Sequence, residues 1–194
     1  MEAQAKKDKI IKRALIDAPA NGWSKQALSD AAMQEGFEPL MAEALFPTLK
    51  DATAYVSEYF DRQLMDQLGI ADNNMRTRDK IAHAVMTRLD LMAPYRDGLK
   101  SVMAARLQLR GAKTLWRTAD QIWIWAGDTA TDYNRYTKRG LLSGVILSTT
   151  LFWFNDTSPG FRATSTFLDR RISNILNVGK MIGMAKQYVT RKRA

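Results

Sequence analysis

Apolar residues in this chain recur at spacings of three and four, and this periodicity restricts the possible folds more than any other feature. The residues between them are mostly Ala, Leu, Met, Gln, Lys and Arg, which favour helices. Runs in which apolar and polar residues alternate, as half-buried strands require, are absent from the sequence. The pattern therefore predicts an all-α protein.

Prolines, glycines and capping residues predict where these helices begin and end. Pro19 and Gly22 end the first helix, Ser24 caps the second, and Gly69 ends the fourth. Eight of the predicted helices cover about residues 6–18, 24–34, 39–46, 49–68, 78–93, 112–130, 132–154 and 159–190. Another helix follows the fifth and runs through residue 107. With 194 residues, one compact domain is expected, in which residues 1–48 and 49–194 form two regions.

Residues 1–48 have the helix sizes and order of a helix-turn-helix. A helix that reads bases must present Arg, Lys, Asn, Gln, Ser or Thr, yet the helix in that position reads PLMAEALF, with Glu43 as its only charged residue. Glu35 and Glu38 flank it and would repel phosphates. The sequence therefore predicts a degenerate helix-turn-helix that binds no nucleic acid.

Charge and hydropathy bear on where the protein acts. The net charge is +9, and much of the excess lies at the two ends of the chain. The first residues, MEAQAKKDKIIKRAL, lack the features of a signal peptide, and cysteine is absent, which fits a reducing compartment. The longest uncharged run, residues 140–155, is shorter than the roughly 18–20 residues that span a bilayer. We expect a buried helix there and a cytoplasmic protein.

Residues that carry catalysis or bind metals are few. His83 is the only histidine, no cysteine is present, and no glycine-rich phosphate loop follows a strand. A di-iron helical bundle would need Glu-x-x-His pairs, and no Glu stands three residues before His83. We predict no catalytic site, no metal site and no cofactor.

Four of the five tryptophans fall within residues 115–154. Trp116 and Trp123 are seven residues apart and share one face of a helix. An apolar wall of this kind either packs as core or lines a ligand cavity, and periodicity alone favours core. The candidate lipid-pocket residues are Trp116, Trp123, Leu142, Ile146, Thr149 and Trp153.

The start of the next helix combines tyrosines with basic side chains. Asp132 suits the N-cap position, which explains that residue without a function. Tyr133 and Tyr136, beside Lys138 and Arg139, are typical of the aromatic anchors of protein interfaces. The alternatives here are a solvated helix start and a partner-binding surface.

Several motifs in this half of the chain resemble the Coq-nine family of ubiquinone-biosynthesis accessory proteins. They are AGDTATDYNRYTKRG, a following apolar helix, NDTSPGF, FLDRRI and NILNVGK, in order and closely spaced. The resemblance covers residues 119–180, and the segments GWSKQALSDAA and LMAEALFP are similar to the family's degenerate helix-turn-helix. It implies a TetR-like helical bundle.

The resemblance also implies a function. A protein of this family keeps the TetR architecture without DNA reading and binds isoprenoid lipids such as ubiquinone intermediates, without catalysing a reaction. It presents the lipid to the demethoxyubiquinone hydroxylase of the Coq-seven family, and a homodimer is expected. The residues carried over to the partner surface are Asp128, Asp132, Tyr133, Tyr136, Thr137 and Arg139. The alternatives are a TetR-type transcriptional regulator with a hydrophobic ligand and an enzyme that acts on the quinone precursor.

The sequence departs from the eukaryotic members of that family in two features. Arg135 stands where they have a tryptophan, directly before the residue that matches Tyr136. Those members also continue into an amphipathic membrane-binding helix, whereas this sequence ends at Ala194 with QYVTRKRA. Each basic residue near an anionic membrane contributes about 1 kcal/mol, so the expected contact is reversible and peripheral, at the inner face of the membrane.

Overall fold

The computed structural model describes residues 2–108, 112–129 and 133–174, and these ranges contain helices and no strand. The helices are α1 (Glu2–Asn21), α2 (Lys25–Gln34), α3 (Pro39–Leu45), α4 (Leu49–Leu68), α5 (Thr77–Met92), α6 (Arg96–Gln108), α7 (Ala112–Trp125), α8 (Tyr133–Trp153) and α9, residues 162–174, which reaches the end of the described chain. Short 3-10 turns, Ala93–Tyr95 and Pro159–Phe161, precede α6 and α9. The all-α prediction is confirmed.

Local chemistry explains several helix ends. Ser24 caps α2 by accepting from the Ala27 N–H, and Thr48 and Asp51 form a reciprocal capping box at the start of α4. The predicted end of the seventh helix near residue 130 is wrong, since α7 ends at Trp125. Gly127 adopts a left-handed φ of +92°, and the Asp128 N–H returns to the Trp123 carbonyl at 2.9 Å, which closes the helix.

The first helix also differs from its prediction, because α1 continues past Pro19 to Asn21. Proline has no N–H, so the Leu15 carbonyl loses its usual partner in the helix. That carbonyl faces Gly98 of α6, where an added Cβ would lie only 1.9 Å from the Leu15 oxygen. The close crossing of α1 over α6 therefore requires glycine at this position.

The buried apolar side chains form two clusters. The first cluster joins α1–α6 with the end of α8 and includes Ile10, Leu28, Phe60, Leu99 and Trp153. The second cluster joins α4, α5, α7, α8 and α9 and includes Leu64, Val85, Ile122, Ile146 and Leu168. Because α8 contributes to both clusters, it spans the part of the molecule in which the candidate site lies.

Candidate functional site

An apolar groove lies between α5, α7, α8 and α9; we call it the α5–α8 groove. Its volume is about 60 Å³ and its walls are almost entirely apolar. The Trp123 indole N–H donates to the Lys138 carbonyl at 3.1 Å, which satisfies its polar atom and leaves the ring as wall. The lining residues are Thr77, Arg78, Ile81, Trp123, Lys138, Leu142, Val145 and Ile172.

A second cavity, of about 30 Å³, lies deeper between α4, α5, α6 and α8; we call it the central cavity. Its apolar walls include Phe60, Met92, Val102, Met103, Ile146 and Phe154. Unlike the groove, it has a polar side, formed by the Arg88 guanidinium and by the hydroxyl residues Thr53, Ser57 and Thr150.

The six candidate lipid-pocket residues are divided among different surroundings. Trp123 and Leu142 line the α5–α8 groove, and Ile146 lines the central cavity. Thr149 and Trp153 are completely buried, and Trp153 packs in the first cluster. Trp116 is 37% exposed. The prediction of a lipid pocket therefore concerns chiefly the groove and the central cavity.

Both cavities are small for a lipid. Sites for drug-sized ligands occupy roughly 300–1,000 Å³, and a water molecule alone needs about 10–15 Å³. A long-chain ligand would therefore enter by moving side chains apart. Met92 and Met103 in the wall of the central cavity suit this, because unbranched methionine adapts its shape easily.

Ion pairs hold α7 and α8 together beside the groove. Arg139 is 1% exposed and contacts Asp120 and Asp128, each at 2.6 Å, while Lys138 contacts Asp128 at 2.6 Å. Burial opposes ionisation of the Asp128 carboxyl, yet hydrogen bonds from Lys138 and Arg139 hold its pKa below the ordinary value. Charge-assisted bonds of this kind fix the register of the two helices.

This network changes the interpretation of the predicted partner surface. Asp128 and Arg139 are occupied in ion pairs within the chain, in contrast to the exposed positions expected of interface anchors. Thr137 is half-buried. Asp132 and the Tyr133 side chain lie outside the part of the chain that the structure describes. Tyr136 alone among the predicted residues offers a largely exposed side chain in the described chain, at 63%.

Tyr136 is paired with Trp116 across the two helices; we call these two residues the aromatic patch. Their ring centroids are 6.1 Å apart. The indole of Trp116 packs near Gly140 of α8, where an added Cβ would lie 3.9 Å from Trp116 Cζ3, an ordinary van der Waals contact. Adjacent exposed aromatic rings are typical of interface anchors, so the aromatic patch replaces the wider predicted surface as the candidate contact site.

Two functional candidates were missed by the sequence interpretation. Arg88 and Asp61 are 7% and 1% exposed, and Arg88 Nε lies 3.1 Å from Asp61 Oδ1. A signal was present: Arg88 stands three residues after Val85 and four before Met92, within the apolar stripe of its helix. A charge within an apolar stripe must be paired when it is buried. The sequence does not identify which residue is the partner.

The helix in the recognition position, α3, exposes few side chains that could read DNA. Leu40 of α3 is 74% exposed, and Ala42 of that helix is buried. Glu43 lies 3.9 Å from Lys25 of α2, so it partly neutralises a nearby cation. The exposed face of α3 therefore presents an apolar and an acidic side chain where a recognition helix would present base-reading groups.

The chain is similar to known proteins of ubiquinone biosynthesis. The family model described as COQ9 matches residues 109–179. Mitochondrial ubiquinone biosynthesis protein COQ9 from Rattus norvegicus is 29% identical over 184 residues, and that from Homo sapiens is 29% identical over 187 residues; each alignment covers 88% of this chain. COQ9-A from Xenopus laevis is 30% identical over 89% of this chain. The resemblance to the COQ9 family is confirmed.

The COQ9 proteins of these animals are longer than the matched region. The chain covers 59% of the rat COQ9 protein and 58% of the human one. Among solved structures, a TetR transcriptional regulator from Nitrosomonas europaea matches with a TM-score of 0.68, covering 88% of this chain and 97% of that chain at 18% identity. This likeness confirms the TetR-like fold.

Two features concern the part of the chain that the structure describes. No helix in these described ranges is both long and apolar enough to cross a bilayer. Within the same ranges, no group of three or more His, Asp or Glu side chains is placed to hold a metal ion.

Proposed function

We propose that this protein is a non-catalytic accessory protein of ubiquinone biosynthesis, which binds isoprenoid quinone intermediates and presents them to a hydroxylase. The observation that carries the proposal is the α5–α8 groove, an apolar site walled by Trp123 and Leu142 within a chain that resembles COQ9. The curated relatives are named as ubiquinone biosynthesis proteins, which supports the pathway.

The groove suits a prenyl tail for a physical reason. A polyisoprenoid chain offers no hydrogen-bond partner, so its binding depends on apolar area removed from water. Trp123, Leu142 and Val145 supply that area, and the indole N–H of Trp123 is already satisfied by Lys138. A tail packed against Trp123 would therefore leave the indole N–H paired.

The presenting surface would be the aromatic patch. Trp116 and Tyr136 stand on the same two helices as Trp123 and Leu142, so a partner docked there would approach the helix pair that walls the groove. We propose the demethoxyubiquinone hydroxylase of the Coq-seven family as this partner. The homodimer, the cytoplasmic or peripheral membrane location, and the lack of a cofactor and of nucleic-acid binding belong to the same proposal.

The test is complementation in cells from which the gene has been deleted. The wild-type gene should restore quinone synthesis, while Trp123→Lys, which places a charge in the groove wall, should leave demethoxyubiquinone to accumulate. Ile124→Lys is the matched control, because Ile124 is the adjacent residue, is exposed and does not line the groove. Equal restoration by both variants would reject the groove as the functional site.

The TetR-type regulator alternative is separated by DNA binding. Specific regulators bind operators with dissociation constants of about 10⁻⁸–10⁻¹¹ M, with a strong dependence on salt. Because α3 exposes Leu40 and Glu43, we expect no sequence-selective retention of genomic fragments by the purified protein. Selective retention at nanomolar concentration would favour the regulator.

A further inference from the structure

The polar side of the central cavity has no role in holding a prenyl tail. Arg88 is buried on the cavity wall, where Phe60, Met92 and Phe154 form apolar surroundings. Taking a guanidinium out of water costs several kcal/mol before pairing, and replacing a buried ion pair by apolar residues is often neutral or stabilising. Stability alone therefore gives little reason for a cation at this point.

The contacts of Arg88 are of unequal quality. Its Nε donates to Asp61 Oδ1 at 3.1 Å, which sets the position of the guanidinium. Its NH1 group donates to Met92 Sδ at 2.9 Å, and a thioether is a weak acceptor. An oxygen acceptor brought by a ligand would form a stronger bond with that N–H than the sulfur does. Met92, as a flexible side chain, can give way to it.

Asp61 is itself held firmly by other groups. Thr118 Oγ1 lies 3.0 Å from both carboxylate oxygens, and Arg117 Nε lies 3.6 Å from Oδ2. The carboxylate thus stays in place and neutralises Arg88 whether or not a ligand is bound. Since the positive charge is already compensated, a neutral oxygen acceptor is a better match to this site than an anion.

We propose that the central cavity binds the oxygen-bearing ring of a prenylated benzoquinone, with Arg88 donating a hydrogen bond to a ring carbonyl oxygen. The inference rests on the proposed function and deepens it, because it names the end of the lipid that this second cavity recognises. Ile146 of the central cavity and Val145 of the groove are consecutive residues of α8, so this helix contributes a wall to both sites. Phe60 and Phe154 supply aromatic walls for the ring.

The experiment measures the binding of two probes of similar size: a benzoquinone with one isoprene unit, and prenylbenzene, which lacks the oxygens. The wild-type protein should bind the quinone about 10-fold more tightly, as one hydrogen bond to a charged group provides. On methyl-labelled methionine, NMR should show shifts at Met92 and Met103 with the quinone, and none at Met33, which is exposed on α2.

The matched variant is the double change Asp61→Asn with Arg88→Met. It removes both charges together and keeps an acceptor for Thr118, so we expect it to fold. It should bind both probes equally. The control is Arg62→Met, which removes a cation paired with Asp8 and not among the cavity-lining residues, and it should keep the 10-fold preference.

The outcomes separate this inference from the proposed function. If the wild-type protein binds both probes equally well, the ring site is overturned while isoprenoid binding stands. If it binds neither probe, both proposals are overturned. A preference for the quinone that persists in the double variant would overturn the role of Arg88.

Discussion

The two most informative arginines of this protein are both buried and both paired with carboxylates, yet their surroundings differ. Arg139 contacts two carboxylates at 2.6 Å and joins α7 to α8. Arg88 contacts one carboxylate at 3.1 Å and a methionine sulfur, and it lines a cavity. The guanidinium of Arg139 is thus committed to structure, whereas that of Arg88 retains capacity for a ligand.

This difference shows why the residue type alone does not identify a site. The sequence placed Arg139 in a partner surface because of its neighbours, and it passed over Arg88. The number and strength of the acceptors around each guanidinium, together with the presence of a cavity, favour Arg88 over Arg139 as the residue that contacts a ligand. The aromatic patch then remains the candidate for partner contact.

The largest effect is expected from Arg139→Met. Removing one member of a buried ion pair costs about 3–5 kcal/mol, because the remaining charge stays buried and unpaired. Asp120 is partly exposed and Lys138 still neutralises Asp128, so we expect the lower end of that range in urea unfolding at pH 7.

The control for this variant is Arg135→Met. Arg135 reaches the same Asp120 from an exposed position, at 3.4 Å, and exposed pairs contribute about 0–1 kcal/mol. Equal losses for the two variants would show that burial does not distinguish Arg139.

A smaller loss, about 2 kcal/mol, is expected from Arg88→Met, since Thr118 and Arg117 still contact Asp61 after the change. Adding Asp61→Asn should restore most of the stability by removing the orphaned charge. Urea unfolding of the single and double variants gives the coupling between the two residues. If the double variant is less stable than Arg88→Met, the pair is chiefly structural and resembles Arg139 after all.

The fold was predictable from the sequence to a greater extent than the site. Periodicity together with Ser24, Gly69 and the prolines was sufficient for most helix bounds, because these signals act over a few neighbouring residues. The continuation of α1 past Pro19 was not predictable, since proline in the local pattern predicts a helix end. The close approach of Gly98 to the Leu15 carbonyl was not predictable either, because the two residues are distant in sequence.

The site depended on contacts between helices. Trp123 and Leu142, two of the candidate pocket residues, both line the groove. Whether neighbouring residues face a groove, a cavity or the core depends on how α4, α5 and α6 pack against α8. Arg88 and Asp61 are 27 residues apart, so their pairing could not be derived from local pattern.

A modest pH effect is expected from Asp128. Its folded pKa is lowered, so its contribution to stability is complete above the unfolded value of about 4 and is lost as the pH falls through the folded pKa. Comparing urea unfolding of wild type and Asp128→Asn from pH 7 to pH 2 isolates this carboxyl. The difference in stability between them should shrink below pH 4; a difference that grows there would contradict the ion-pair network.

The smallest stability effect is expected from Tyr136→Ala, within about 0.5 kcal/mol, because surface substitutions seldom cost more. The same change should weaken retention of the purified hydroxylase at least 10-fold if the aromatic patch anchors that partner. Leu151→Ala, an exposed apolar position farther along α8, is the control and should retain the hydroxylase. Unchanged retention by Tyr136→Ala would remove the patch from the partner surface.

The most direct measurement is native mass spectrometry of the protein purified from cells that synthesise ubiquinone. We expect a complex whose added mass is that of one prenylated quinone intermediate per chain, lost in Trp123→Lys and retained in Ile124→Lys. Wild-type protein that carries no lipid, even after incubation with the prenylated quinone, would contradict lipid binding by this bundle.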